Sequence, residues 1–351
     1  MEIHILKKQR SSGFSIVELM VAILIGLIIL AGVIQVVVTS KTTFIGQEEM
    51  SFIQENARYA VDLIGKDVQS AGYWGCAGAN AKAAVVAKNT AAQELLSAQP
   101  MGGYDGSSYA TMPDFVKDRI RGIALEGAAT TVYPDVLVVR GAEGAMIGVK
   151  SHDGATIATS GSHSLPESAY FVVSGEDCRR MSIVRAATVT SEQITYSGTD
   201  NCPAIKPSLL KKTFDCSTAA YESYLPGATV MAYDAKAYYI GDSSAITGFP
   251  ALKRVTLSNN SVREEELALG VEDMEIMYGI VESNGNVQYK SANDVTPTEW
   301  SLVGAVQVQL VFRSQSASAQ PALEQEFLGK TYDDGFMRQL VSTTFRLRNR
   351  I

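Results

Sequence analysis

Four cysteines, Cys76, Cys178, Cys202 and Cys216, are the residues of the 351-residue sequence with the most directed chemistry. None forms C-x-x-C, and no histidine stands at zinc spacing beside any of them. An even number of scattered cysteines fits two disulfides formed in an oxidising compartment, with four buried free thiols as the alternative. Of three histidines, His152 and His163 lie in polar stretches and are expected to be exposed, while His4 lies near the N-terminus. Glu264-Glu265-Glu266 and Asp333-Asp334 read as solvated turns and helix ends, with a calcium site as the alternative. The glycine-rich stretches lack the G-x-x-x-x-G-K-[ST] pattern that cradles phosphates. No nucleophile, base and orienting group come together, so the sequence assigns no catalytic residue, metal or cofactor. A net charge of −7, which becomes −9 past the first thirteen residues, disfavours binding to a phosphate backbone. Arg338, Arg346, Arg348 and Arg350 form a local basic patch, expected on a solvated strand edge or a partner surface.

One more group stands out because of where it sits. Between Val17 and Val38 only Glu18 and Gln35 are polar. Twenty-two helical residues rise roughly 33 Å, about the thickness of a bilayer's hydrocarbon core. Lys7, Lys8 and Arg10 precede the span, and Glu48 and Glu49 follow it. That asymmetry places the N-terminus in the cytoplasm and the bulk of the chain outside. A secretory signal peptide has a shorter apolar run and a small-residue cleavage site after it. A plain signal anchor does not explain Glu18, since a carboxylate within a span costs about 2.5 kcal/mol or more and is functional by default.

The run Gly13-Phe14-Ser15-Ile16-Val17-Glu18-Leu19 resembles the class III signal of type IV prepilins and pseudopilins. The resemblance implies that a prepilin peptidase cuts after Gly13 and that the new N-terminal Phe14 is N-methylated. Glu18 then occupies the fifth mature position, where the family carries a glutamate. The amine of Phe14 in one subunit and Glu18 of its neighbour can neutralise each other at similar depth and set register during assembly. The alternative is a Glu18 that snorkels to the headgroups.

The elements that position these residues follow from periodicity. No proline occurs before Pro100, so one helix can run from Phe14 to Gly72. Ile53, Ala57, Ala60, Ile64, Val68 and Ala71 recur at spacings of three and four, and Glu55, Arg58, Asp62 and Lys66 line another face. The pattern is too short for a coiled-coil seam. Residues 77–134 read mostly as loop. Beyond them, strands are predicted over Val136–Arg140, Tyr170–Val173, Met181–Thr190, Thr229–Ile240 with a turn at Asp234-Ala235-Lys236, and Leu252–Leu257. Glu275–Val281 and Val287–Lys290 flank an Asn-Gly hairpin turn. Val303–Arg313 and Val341–Leu347 alternate, as antiparallel strands with one buried face do.

These features give an α+β fold of type IV pilin kind: a long N-terminal helix packed on an antiparallel sheet with insertions. Its parts are expected to be a leader (1–13), a transmembrane and filament-core half of the helix (14–38), an amphipathic half (39–72) and a β-rich extracytoplasmic domain (73–351). Gly72-Tyr-Trp-Gly-Cys76, Gln54 to Ala60, Asp67 to Ala71, Gly270 to Glu275, Tyr278-Gly279 and Thr343 to Arg350 further resemble the PilW family of minor pilins. That resemblance implies a structural subunit, not an enzyme, at or near the pilus tip, which helps prime assembly and so serves twitching motility and adhesion. Implied partners are the prepilin peptidase, major and other minor pilins, a tip adhesin, the inner-membrane assembly platform and, through 14–38, membrane lipid, with no nucleic acid. Implied locations are the inner membrane, with a periplasmic domain, and then the surface pilus. A large minor pseudopilin of type II secretion, or a membrane-anchored extracytoplasmic binding protein or enzyme, is the alternative. Of three possible disulfide connectivities, 76–178 and 202–216 are expected. The first ties the helix exit to the sheet, and the second closes a local excursion; the two other pairings stay open.

Overall fold

The computed structural model describes residues 13, 15–78, 81–89, 91–124, 131–196, 199–202, 223–258, 261–317 and 324–349. One helix, α1, covers Ile16–Ser70. The chain divides into two compact units between Ser51 and Phe52. In the first unit, the apolar residues of α1 from Ile16 to Val38 are all exposed. This helix is long and apolar enough to cross a membrane, by length and composition.

In the second unit, Ile53, Ala57, Ala60, Ile64, Val68 and Ala71 are all buried, as their spacing predicts. Asp62 and Lys66 pair across one turn on the exposed side at 2.7 Å. The helix stops two residues short of Gly72, which adopts φ +74° and turns the chain away.

Eleven strands build the larger sheet: β1 (Lys82–Val85), β2 (Met101–Tyr104), β3 (Val136–Asp153), β4 (Thr156–Thr159), β5 (Tyr170–Ser174), β6 (Arg180–Arg185), β7 (Thr188–Val189), β8 (Gln193–Thr195), β9 (Thr229–Asp242), β10 (Pro250–Ser258) and β11 (Ser261–Leu269). All its pairings are antiparallel except β1 with β6. The smaller sheet contains β12 (Val271–Val281), β13 (Val287–Lys290) and β14 (Val303–Ala317). A separate ribbon of β15 (Gln325–Phe327) and β16 (Lys330–Tyr332) precedes its last strand, β17 (Phe336–Arg346). The order is β13-β12-β14-β17, so β17 is an edge.

One core joins α1 from Ile53 onward to both sheets, through Leu137, Tyr238 and Leu252 of the larger and Ile276, Val308, Leu310 and Phe345 of the smaller. A second core lies under the insertion around Leu95, Phe115 and Val116, and a third surrounds Phe171, Ile194 and Val230. The α+β architecture and the Asn-Gly hairpin are as predicted.

Several local readings are corrected. Asp234-Ala235-Lys236 is not a turn but the middle of β9, with Asp234 and Lys236 paired at 2.6 Å on one face and Ala235 buried on the other. The predicted strand Met181–Thr190 is interrupted, giving β6 and β7. Glu264-Glu265-Glu266 lie in β11, where Glu264 pairs with Lys253 and Glu265 with Arg254 on the neighbouring strand. Cross-strand partners thus replace the solvent that a turn would supply.

Candidate functional site

The first candidate is the N-terminal processing and assembly segment. Gly13 is exposed, with nothing within 4 Å of where a Cβ would lie. Phe14 falls outside the described residues. Leu19 N donates to Ser15 O at 3.0 Å as the helix begins. Glu18 is exposed in the first turn of α1, where free N–H groups favour negative charge. Among the described residues nothing packs against Gly13, and the Glu18 carboxylate is exposed.

The second candidate is the far end of α1, where the chain's own C-terminal segment closes it. Asn349 Nδ2 donates to Ser70 O at 3.1 Å and Ala71 O at 3.3 Å, and Arg348 N donates to Gln69 O at 3.2 Å. These bonds satisfy carbonyls that a helix end leaves without partners. Gly72 N donates to Arg140 O at 2.9 Å, which ties the exit to β3. Just beyond, Trp74 stacks on Tyr233, and Cys76 is bonded to Cys178 with a Cα separation of 5.2 Å. The expected 76–178 link is therefore present. Cys202 is buried, while Cys216 lies outside the described residues, and with it the 202–216 pairing.

Asp67 on α1 anchors the helix from the side. It accepts from Lys236 Nζ at 3.0 Å and from the hydroxyl of Tyr238, with Arg254 at 3.4 Å. Burial and the adjacent Asp67 carboxylate together push the Tyr238 phenol well above its ordinary range.

The third cluster occupies the start of β12. Gly270 has φ +78°, and a Cβ there would lie 2.8 Å from Arg313 O. Glu272 accepts from Arg338 Nε at 2.6 Å, and Asp334 takes the same guanidinium at 2.6 and 2.7 Å. Asp273, fully buried, pairs with Lys330 at 2.5 Å. Burial raises the Asp273 pKa, against the pull of that ammonium. The hydrogen bond from Arg338 holds Asp334 below the ordinary carboxylate range. Arg338 is thus not on a solvated edge: its side chain is buried over the Tyr332 ring, 4.0 Å from the centroid. Arg346 and Arg348 are exposed as expected, and Arg350 lies outside the described residues. Farther along the strand, Tyr278 Oη donates to Gly102 O at 3.2 Å and meets Trp300 edge-on.

The two histidines depart from expectation in the same way. His152 is half-buried, accepting from Tyr224 N through Nδ1 at 2.9 Å and meeting Tyr196 Oη through Nε2 at 2.6 Å. His163 is also half-buried, and both its ring nitrogens are enclosed without a hydrogen-bond partner among the described residues. Asp135 was not visible as a special residue in the sequence. Its two oxygens accept from Gly106 N at 2.8 Å and Ile276 N at 2.9 Å, and burial raises its pKa to about 7. Among the described residues, no group of three or more His, Cys, Asp or Glu could hold a metal ion.

Two family models match the chain at its two ends. Residues 8–34 match the prokaryotic N-terminal methylation motif. Residues 237–349, from β9 through the Asn349 contact with α1, match PilW, the type IV pilus-assembly protein W. No curated protein matches the chain.

Proposed function

We propose that this chain, a type IV pilus-related pilin of the PilW family, is a minor pilin placed at or near the pilus tip, where it helps prime assembly. One coincidence carries the reading: a methylation-motif N-terminus leads directly into an apolar helix whose far end is held by the PilW-matching segment. In this proposal residues 1–13 are a leader removed by prepilin peptidase and Phe14 is N-methylated. Residues 14–38 lie in the inner membrane and later in the filament core, 39–72 form the amphipathic half, and 73–351 form the periplasmic domain. Glu18 meets the terminal amine of a neighbouring subunit, because two opposite charges at one depth cost less together than apart. Partners are major and minor pilins, a tip adhesin and the assembly platform. The role is structural, and motility and adhesion follow from the pilus.

The test is deletion of the chain with complementation by full-length protein, counting surface pili and reading the mature N-terminus by mass spectrometry. The proposal expects loss of pili, their restoration, and a methylated Phe14 as first residue. Pili unchanged by deletion reject it.

A further inference from the structure

Antiparallel pairing turns the backbone groups of alternate residues toward the neighbouring strand and those of the others away. Arg338 to Arg346 of β17 oppose Arg313 to Ala305 of β14 without a register break. Two contacts fix the parity. Leu347 N donates to Gly304 O at 3.0 Å, so odd-numbered residues face β14. On the other side, the side-chain amide of Gln325 donates to Phe336 O at 2.8 Å and accepts from Arg338 N at 3.2 Å, so even-numbered residues face outward. Gln325 thus stands in for a neighbouring strand over one repeat. Past it, the outward N–H and C=O groups of Leu340, Ser342 and Thr344 have no protein partner among the described residues.

Sheet edges are usually blunted by shortness, charge or proline. The edge strand β13 has four residues, β1 four and β7 two, while β11 carries Arg263 and three glutamates. From Gln339 to Phe345, β17 has neither charge nor proline. At the end of this edge Arg346 and Arg348 are exposed, and among the described residues the ion pairs made along β17 belong to Arg338.

We infer that the edge of β17 from Leu340 to Thr344 accepts an extended strand from a different pilin-type subunit; this inference rests on the pilus reading above. The incoming segment is uncharged where it pairs and carries a carboxylate at the end that meets Arg346 and Arg348. A second β17 paired antiparallel about Ser342 does not fit, because its Arg346 and Arg348 would collide with Gln325, which already occupies the edge at Phe336 and Arg338.

The test uses the full-length chain in its own cells. If deleting the chain leaves surface piliation intact, the pilus reading falls and this inference with it. Where pili depend on the chain, Ser342→Pro and Thr344→Pro each remove one outward N–H without removing any bond to β14. With membrane level, leader removal and the Cys76–Cys178 bond unchanged, surface pili should fall roughly tenfold or more. Ser342→Ala, which keeps the N–H, should leave them unaltered. Normal piliation in both proline variants overturns the edge assignment and leaves the pilus reading standing. Amide exchange decides the matter if those variants fail to accumulate. In detergent, the wild-type amides of Leu340, Ser342 and Thr344 should exchange about 100-fold faster than those of Val341 and Thr343. In membranes of piliated cells they should slow roughly tenfold; exchange that stays unchanged overturns the assignment.

Discussion

Gly65 of α1 and Phe345 of β17 approach so closely that no side chain fits between them: a Cβ on Gly65 would lie 2.5 Å from Phe345 Cε1. The helix rests on the smaller sheet at this point, and the glycine that weakens helix propensity is what permits the contact. Gly65→Ala should gain about 1 kcal/mol of helix propensity yet lose roughly 1–3 kcal/mol to overpacking. The expected outcome is a lower thermal midpoint for the full-length protein, and a larger drop for Gly65→Val. Phe345→Leu combined with Gly65→Ala should recover part of the loss, as coupling between touching residues requires.

Gly13→Val should block removal of the leader, because a branched side chain would stand beside the proposed scissile bond in place of glycine's hydrogen. Mass spectrometry of the membrane protein should find the leader retained, against a mature N-terminus at Phe14 for wild type. Normal cleavage would reject Gly13 as the processing position.

Glu18→Ala should leave the chain processed and inserted, since losing a carboxylate eases insertion. Incorporation into pili should fall, measured as surface pili per cell at equal membrane level. Unchanged piliation would show that the carboxylate does no assembly work in this subunit.

Asp135 sets a pH dependence whose sign follows from its raised pKa. The folded protein holds a proton on this carboxyl up to about pH 7, whereas an ordinary aspartate releases it near 3.8. Stability from this group is therefore full below pH 4 and is lost as pH rises toward 7, by a few kcal/mol at most. His152 works in the opposite direction, because burial lowers its pKa and acid must charge it. The difference between wild type and Asp135→Asn isolates the aspartate. The substituted amide has a single oxygen and cannot accept from both Gly106 N and Ile276 N. The variant should therefore be weaker at pH 5, and the gap in urea midpoint should narrow by pH 8.

Replacing Cys76 or Cys178 by Ser removes a link across 102 residues of sequence. Chain entropy alone assigns such a loop roughly 4–5 kcal/mol, an upper figure for what is measured. The denaturation midpoint should fall accordingly, and dithiothreitol should lower the wild type at least as far, since it also reduces any second disulfide. Non-reducing peptide mapping should also find Cys202 joined to Cys216; Cys202 found free or joined to a different cysteine would reject that pairing.

The sequence alone determined whatever is periodic or contiguous. The apolar run of α1, its six buried positions from Ile53 to Ala71, the hairpin at Asn284-Gly285 and the Gly13-to-Glu18 motif each sit within one stretch of chain, and one face or one turn decides them. Only the tertiary structure decided which charges are buried and which strand edge stays open. Arg338 meets Glu272 across 66 residues, Lys236 meets Asp67 across 169, and Asn349 closes α1 across 279. An alternating strand reads the same whether its arginine faces water or a carboxylate, so nothing local distinguishes Arg338 from Arg346. The same limit made Asp234-Ala235-Lys236 resemble a turn: two polar residues flanking alanine suit a loop in water, and suit β9 once Asp67 arrives from the helix. Side-chain periodicity fixes which face is wet, while the partners that let charge enter the core come from distant chain that only folding brings together.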